Sequence, residues 1–384
     1  MSRAPKLILG VVFARWARSS AGHICSVMNW AIGFRSLGWD VWLVENIASE
    51  KLTPPAAPGR PSPEELFFRA TAREFGFENR ATLLIDGESP ACEALQDFAA
   101  DAELFLNYSG QFDRLDLLGP RPRKLYLDVD PAFTQLWVEV CGSDMNFDGH
   151  DLFLTVGTNL SSPNALLPKA GREWIPVPPP VAAPYWRERL GHLEPPRSEA
   201  PWTTIGHWYG YSEMEWQGRK YGGKRDSFLA MRELPVRLGR ACGIATDLNP
   251  DWEDYGDFHR AGWRLFSALE VCRDIPTYLR FIADSRGEIG IAKSGYVTSR
   301  GGWLSDRSMI YLALGRPVIQ QDTGWTEVFS PEAGLLPFQD VTDAVAAVER
   351  IESDYENHSS AARALADEVF SADRVLRSLL NRLS

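Results

Sequence analysis

The chain has 384 residues, which at about 100–200 residues per domain predicts two domains, and its 45% hydrophobic and 24% charged composition is globular. Forty basic against 51 acidic residues give a formal net charge of −11, which excludes the basic footprint of a nucleic-acid-binding protein. A few local cations and a helix end are still enough to bind a phosphorylated ligand. Cys25, Cys92, Cys141, Cys242 and Cys272 lie far apart with no CxxC pair, which excludes a zinc ribbon and fits a reducing, cytoplasmic setting. The apolar run Leu7 to Phe13 is too short to span a bilayer and lacks a small-residue cleavage site, so it reads as a first strand.

In chain order, Leu7–Phe13, Val41–Glu45, Leu83–Asp86, Glu103–Tyr108, Lys124–Asp128 and Leu152–Gly157 read as strands. Between the first two, Ile24, Val27, Met28, Ala31 and Ile32 follow the stripe of a helix with one buried face. Strand, helix, strand at this spacing predicts a βαβ unit and a parallel sheet. Then Pro176, Pro178, Pro179, Pro180, Pro184, Pro195, Pro196 and Pro201 fall close together. Proline feeds neither a central strand nor a helix interior, so this stretch predicts a stiff connector. A second α/β series follows, with strands at Trp202–His207, Gly243–Asp247, Glu288–Ala292 and Pro317–Gln320, and a long helical pattern from Val341 to Leu383 ends the chain. The expected architecture is α/β, with two Rossmann-like doubly wound domains facing each other across a cleft. The domains are an N-terminal one over 1–180, a proline-rich linker over 181–201 and a C-terminal one over 202–384.

The segment from Gly290 to Trp325 holds the densest group of signals. A strand leads into a loop rich in Gly, Ser, Arg and Lys, a helix starts near Ser305-Asp306 and stops at Gly315, and a strand then ends in Asp322-Thr323-Gly324. Unpaired N–H groups and a positive partial charge at that helix start suit a diphosphate. Lys293, Arg300 and Arg307 supply neutralising charge, Gly302 lets backbone approach closely, and Ser305 is a cap or a phosphate donor. Asp322 and Thr323, at the strand end, suit sugar hydroxyls. Earlier in the same half, Gly206-His207 follows a strand, and Lys224-Arg225 lies downstream of Gly222-Gly223 as further cations for the diphosphate. Gly218-x4-Gly223-Lys224 also looks like a P-loop, but Arg225 stands where a Ser or Thr would hold Mg²⁺, so an ATPase is rejected.

With LALGRPVI closing this segment, the chain resembles the GT-B glycosyltransferases, whose C-terminal domain carries a loop, a helix and a small-x-G-x-P-V strand over a nucleotide-sugar donor. That family often places a Glu five residues before the helix-ending glycine to hold the ribose; here Ile310 occupies the position, with Asp306 nearly a turn earlier. The resemblance extends to the N-terminal half. Ser19-Ser20-Ala21-Gly22-His23 opens the first helix and Leu37-Gly38-Trp39-Asp40-Val41 enters the second strand, similar to the glycine–histidine pair and LxxxGH-V pattern of inverting members. The resemblance implies His23 as catalytic base, with Gly22 and Asn107 on the acceptor side. The helix start disfavours imidazolium and keeps His23 able to accept a proton. Asn107 stands where the family orients its histidine with an Asp, so Asp130 is the alternative partner.

Asp128-Val129-Asp130 is also a DxD, the metal–diphosphate motif of the GT-A fold, but that reading leaves the C-terminal loop–helix unexplained. Asp128 and Gln135 are placed instead on the acceptor side. Of 14 tryptophans, Trp16, Trp208, Trp216, Trp303 and Trp325 fall in loops near the expected cleft, where an aromatic face stacks on a sugar or base or simply packs. His150, His192, His259 and His358 are expected on the surface or in loops. No GxGxxG follows any strand, against an NAD-dependent oxidoreductase. The resemblance implies metal-independent transfer of a hexosyl or deoxyhexosyl group from a nucleoside-diphosphate sugar to a small-molecule or glycan hydroxyl, with no further cofactor and no nucleic-acid or membrane partner. A sugar-nucleotide epimerase of the same fold and an inactive transferase-like binding protein remain the alternatives.

Overall fold

The computed structural model describes residues 3–17, 21–57 and 59–383. Seven strands, β1 (Lys6–Gly10), β2 (Asp40–Ile47), β3 (Ala81–Ile85), β4 (Leu104–Tyr108), β5 (Arg123–Asp128), β6 (Leu152–Thr155) and β7 (Trp174–Pro176), form the first sheet. All pair in parallel, in the order β3-β2-β1-β4-β5-β6-β7. Leu7, Ile8 and Leu9 of β1 are fully buried, as a parallel strand covered on both faces requires. A second parallel sheet follows in the order β12-β11-β8-β13-β14-β15. It consists of β8 (Trp202–Ile205), β11 (Cys242–Thr246), β12 (Trp263–Ser267), β13 (Gly287–Gly290), β14 (Val318–Gln321) and β15 (Leu335–Phe338). The short hairpin β9 (Met214–Trp216) and β10 (Arg219–Tyr221) stands apart from both sheets.

Strand order reverses between β1 and β4 in the first sheet and between β8 and β13 in the second. Such reversals open a crevice at the carboxyl ends of the strands, where doubly wound folds bind ligands. One apolar core runs from the first sheet through the helix Ala21–Ser36 to the helices Ile275–Ala283 and Asp306–Ala313 of the second half. Two smaller cores cover the outer face of each sheet.

All ten expected strands are present. The additional strands β7, β9, β10, β12 and β15 are short or lie at sheet edges, and in β15 the apolar run is interrupted by Pro337, which an edge strand tolerates. Three expectations need correction. The stretch 181–201 is not a plain connector, because Ala183–Leu190 is a helix with Pro184 in its first turn, where the missing N–H costs nothing. Trp186 of that helix is buried and donates to Asn29 Oδ1 at 2.7 Å. The C-terminal helical pattern divides into Val341–Ser353, Tyr355–Ala364 and Ala372–Leu383, with a π-helical turn at Leu365–Val369. The loop after β13 contains a short helix, Ser294–Ser299.

The last helix returns to the N-terminal half and lies on Ala21–Ser36. A Cβ at Gly33 would stand 2.7 Å from the Ala372 Cβ, so the glycine sets the close approach. The chain therefore passes between the two halves twice, and the passes pair: Val181 N donates to Phe370 O at 2.8 Å and Ala372 N to Val181 O at 2.9 Å. Among the described residues, no helix is long and apolar enough to cross a membrane.

Candidate active site

The N-terminal wall of the cleft begins where β1 ends. Glu45 of β2 is buried, and its carboxylate accepts from Phe13 N at 2.7 Å, Ala14 N at 2.8 Å and Arg15 N at 2.9 Å. Burial raises its pKa against those three donors. Arg15 adds anchors on Gln111 Oε1 at 2.6 Å and Asn46 O at 2.9 Å. His23 sits in the first turn of Ala21–Ser36, between the rings of Trp16 at 4.7 Å and Tyr108 at 5.5 Å. Its Nε2 is sealed from solvent and has no partner. Burial lowers its pKa to about 4, only partly opposed by the charges of Asp306 and Asp130 and a hydrogen bond to the Val12 backbone. The imidazole is therefore neutral at pH 7, with a free nitrogen. A Cβ at Gly22 would stand 3.5 Å from the Tyr278 ring of the other half; Ser19 and Ser20 lie outside the described residues.

The C-terminal wall is built at the ends of β8 and β13. Arg307 donates to Ile205 O at 2.6 Å and to Glu288 Oε1 at 2.5 Å, while its NH2 is buried without a partner. Lys224, only 8% exposed, lies over Gly206, where a Cβ would be 2.6 Å from its Nζ. Desolvation first, then the charges of Arg307 and Lys293, push the Lys224 pKa well below the usual lysine value. Ser305 precedes the helix Asp306–Ala313 and makes no capping hydrogen bond; its Oγ is buried and unpartnered. The expected cap is thus absent, and the hydroxyl stays available beside the helix start. Ile310 is fully buried in the core. Asp306, in the first turn, acts electrostatically on His23, Tyr108, Lys224 and Lys293, which places it where the walls meet.

Asp130 joins the walls. It accepts from Lys293 Nζ at 2.8 Å, from Tyr211 OH at 2.9 Å and from Tyr296 OH. Lys293 is ringed by aromatic faces, with the Tyr211 centroid at 3.6 Å and the Phe133 centroid at 5.3 Å. Burial opposes the Asp130 charge, but Lys293 and the two phenols outweigh it and hold the carboxyl below its usual value. Asp128 has another environment. It is fully buried and accepts from Thr134 Oγ1 at 2.7 Å, Thr155 Oγ1 at 2.8 Å and Gln135 Nε2 at 2.9 Å, while Gln135 Oε1 accepts from Ala132 N at 2.7 Å. Asp130 N gives Asp128 a fourth bond at 3.0 Å, so its carboxylate is fully occupied and Gln135 is fixed at both ends of its amide; the DxD is a structural knot plus an interdomain pair. Among the described residues, no three His, Cys, Asp or Glu side chains gather as a metal site.

The structure therefore brings His23, Asp130, Lys224, Lys293, Ser305, Arg307 and Gly206 to one cleft. Other expected residues are engaged elsewhere. Asn107 spends its amide on Phe112 N and O and on His150 Nε2 at 3.1 Å. His150 is half-buried in its loop, whereas His358 is buried within the helix Tyr355–Ala364, its Nδ1 accepting from Gly334 N at 3.1 Å, so His358 is neither a surface nor a loop histidine. Arg225 clamps Asp254 at 2.6 and 2.9 Å, and the exposed His207 pairs with Asp247 at 2.9 Å. Arg300 reaches Glu327 at 3.1 Å and Asp322 at 3.7 Å, Asp322 Oδ1 accepts from Gly324 N, and Thr323 Oγ1 donates to Trp303 O. Gly302 O accepts from Thr158 N and Oγ1 of the other half, at 3.2 and 2.7 Å. That glycine is a seam between domains.

Glu45, Glu288, Tyr211 and Tyr296 are site residues that the pattern did not single out. An acidic residue inside an apolar strand, as at Glu45 and Glu288, was the readable signal, because burying one requires donors nearby. The two tyrosines left no such trace.

No family model matches this sequence, and no curated protein matches it. Solved structures do. An alpha-glucosyltransferase in complex with UDP-glucose and DNA containing an abasic site superposes with a TM-score of 0.60 at 11% identity, covering 99% of both chains. HepE of Anabaena, in complex with UDP and glucose, gives 0.51 at 13% identity, again over 99% of both. A glycosyltransferase from Rickettsia africae gives 0.51 at 11% identity, over 99% of this chain and 98% of that one. Two doubly wound domains with facing switch points, matched along their whole length, are the fold of the GT-B glycosyltransferases, and this chain has that fold.

Proposed function

We propose that the protein is a glycosyltransferase that takes a sugar from a nucleoside diphosphate, with the diphosphate held at the start of the helix Asp306–Ala313. The observation that supports this most is the set of buried polar atoms left without partners in one cleft: Ser305 Oγ, Arg307 NH2 and His23 Nε2, beside a desolvated Lys224. Such groups are costly unless a ligand completes them. A diphosphate accepts from the serine, the guanidinium and the ammonium together, and the helix start adds its own positive potential. The three neighbours described above, two of them holding UDP or UDP-glucose, support the donor class.

In this reading His23 Nε2 takes the proton of the acceptor hydroxyl as its oxygen bonds to the anomeric carbon. The bond from that carbon to the phosphate oxygen breaks, and the nucleoside diphosphate leaves with its charge stabilised by Lys224 and Arg307. Transfer is metal-independent, these fixed cations serving in place of an ion. The acceptor is a small molecule or glycan; the net charge of −11 disfavours a polyanion such as the DNA in the first neighbour's complex. The same reading puts the protein in the cytoplasm, where its five unpaired thiols stay reduced.

UDP is the probe. It raises the melting temperature of the native protein, with or without EDTA, and Lys224→Met weakens its binding by about tenfold or more. His23→Ala keeps the UDP shift and loses sugar transfer from UDP-glucose to a panel of glycosides and polyols. A native protein whose melting point ignores UDP removes this reading. A sugar nucleotide interconverted without an acceptor replaces it with an epimerase.

A further inference from the structure

The loop tryptophans divide clearly by exposure. Trp208 and Trp325 are fully buried, and Trp303 is buried in a stack on Tyr296 with centroids 4.4 Å apart. Trp16 is 47% exposed. A lone exposed aromatic needs no explanation, but two features set this one apart. Its loop is clamped: the Glu45 carboxylate takes three successive backbone N–H groups at residues 13–15, and Arg15 is tied to Gln111 and to the Asn46 backbone. Its indole also meets the His23 ring at 4.7 Å and 72°, next to the unpartnered Nε2. A rigid apolar face is thus held beside the nitrogen that the proposed mechanism uses.

We infer that Trp16 is an acceptor-binding residue, a stacking platform that seats a flat apolar face with the attacking hydroxyl directed at His23. The ligand chemistry is that of a pyranose C–H face or an aryl ring, either of which loses apolar surface to the indole while keeping its polar rim wet. Glu45 is the positioning residue: it touches no ligand and fixes the loop that carries Trp16. The inference rests on the proposed transferase reading but is tested apart from it.

The probes are methyl β-D-glucopyranoside and 4-nitrophenol, each with the full-length protein saturated in UDP, read by saturation transfer in NMR. The native protein transfers saturation to the C–H face of at least one probe, and which one responds decides between a sugar ring and an aryl ring. Trp16→Ala loses that signal and raises the acceptor Kd about tenfold, the scale of one lost aromatic stack, while the UDP melting shift is unchanged. Trp16→Phe restores most of it. Glu45→Gln weakens acceptor binding in the same direction with UDP binding intact. Trp252→Ala, at another exposed tryptophan, changes nothing. If neither probe receives saturation, or if Trp16→Ala binds as well as the native chain, the platform is wrong. A missing UDP shift instead strikes the transferase reading alone.

Discussion

His23 shows what one buried side chain tells about mechanism. An ordinary imidazole titrates at 6.5, whereas burial between Trp16 and Tyr108 brings this one to about 4. If it is the base, the acid limb of kcat/KM against pH bends near 4 and not near 6.5. Folding stability carries the same signature. Between 6.5 and about 4 the unfolded chain binds a proton that the folded chain refuses, so stability falls as pH drops through that window. Urea midpoints of the native chain and of His23→Gln, measured from pH 7 to 4, diverge in that direction, with the native chain losing more. A histidine that titrates near 6.5 ends the argument for a sealed, neutral base.

At the scale of elements, the loop after Ser299 is a seam. Gly302 has φ +78°, and a Cβ there collides with the Asn159 backbone, while its oxygen is already held by Thr158. Gly302→Ala is expected to cost about 2 kcal/mol, from backbone strain and the parted seam. Gly301→Ala is the control: it meets nothing closer than Ser299 Oγ at 3.4 Å and changes little. Urea denaturation of the pair reads the difference. Elements were also the scale at which the sequence was most legible. Continuous apolar runs gave the central strands, because a parallel strand buried on both faces has no polar alternation to hide it. The edge strands β7, β12 and β15 are harder to read: β12 faces solvent at Arg264 and Ser267, and β7 and β15 are short runs that carry a proline. In the cleft, His23, Ser305, Lys224 and Arg307 stood beside glycines and turns that mark helix starts. Glu45 and its three amide partners are about thirty residues apart in sequence, and Lys293 and Asp130 are 163 apart. No local pattern records which surfaces will meet.

For the whole molecule, the Asp130–Lys293 pair is an ion pair across the cleft, 2.8 Å long and largely shielded from solvent. Removing one partner leaves a buried, unanswered charge, which is worse than never having had the pair. Asp130→Asn is expected to lower unfolding stability by about 3 kcal/mol and to open the two halves, seen as a larger radius of gyration in solution scattering. Double replacement, Asp130→Asn with Lys293→Met, recovers part of the stability but not the compact form. A single variant as stable and as compact as the native chain refutes the latch.

The paired passes at Val181 and Ser371 have a mechanical consequence. A single linker lets one body swivel freely about the other. Two chains bound side by side act as a door hung on two pins, which swings about one axis and resists torsion. The second pin belongs to a helix whose own seat is on the N-terminal half, so trimming a dozen residues from the C-terminus does more than shorten a tail. It unseats the pin and leaves a door that no longer meets its frame.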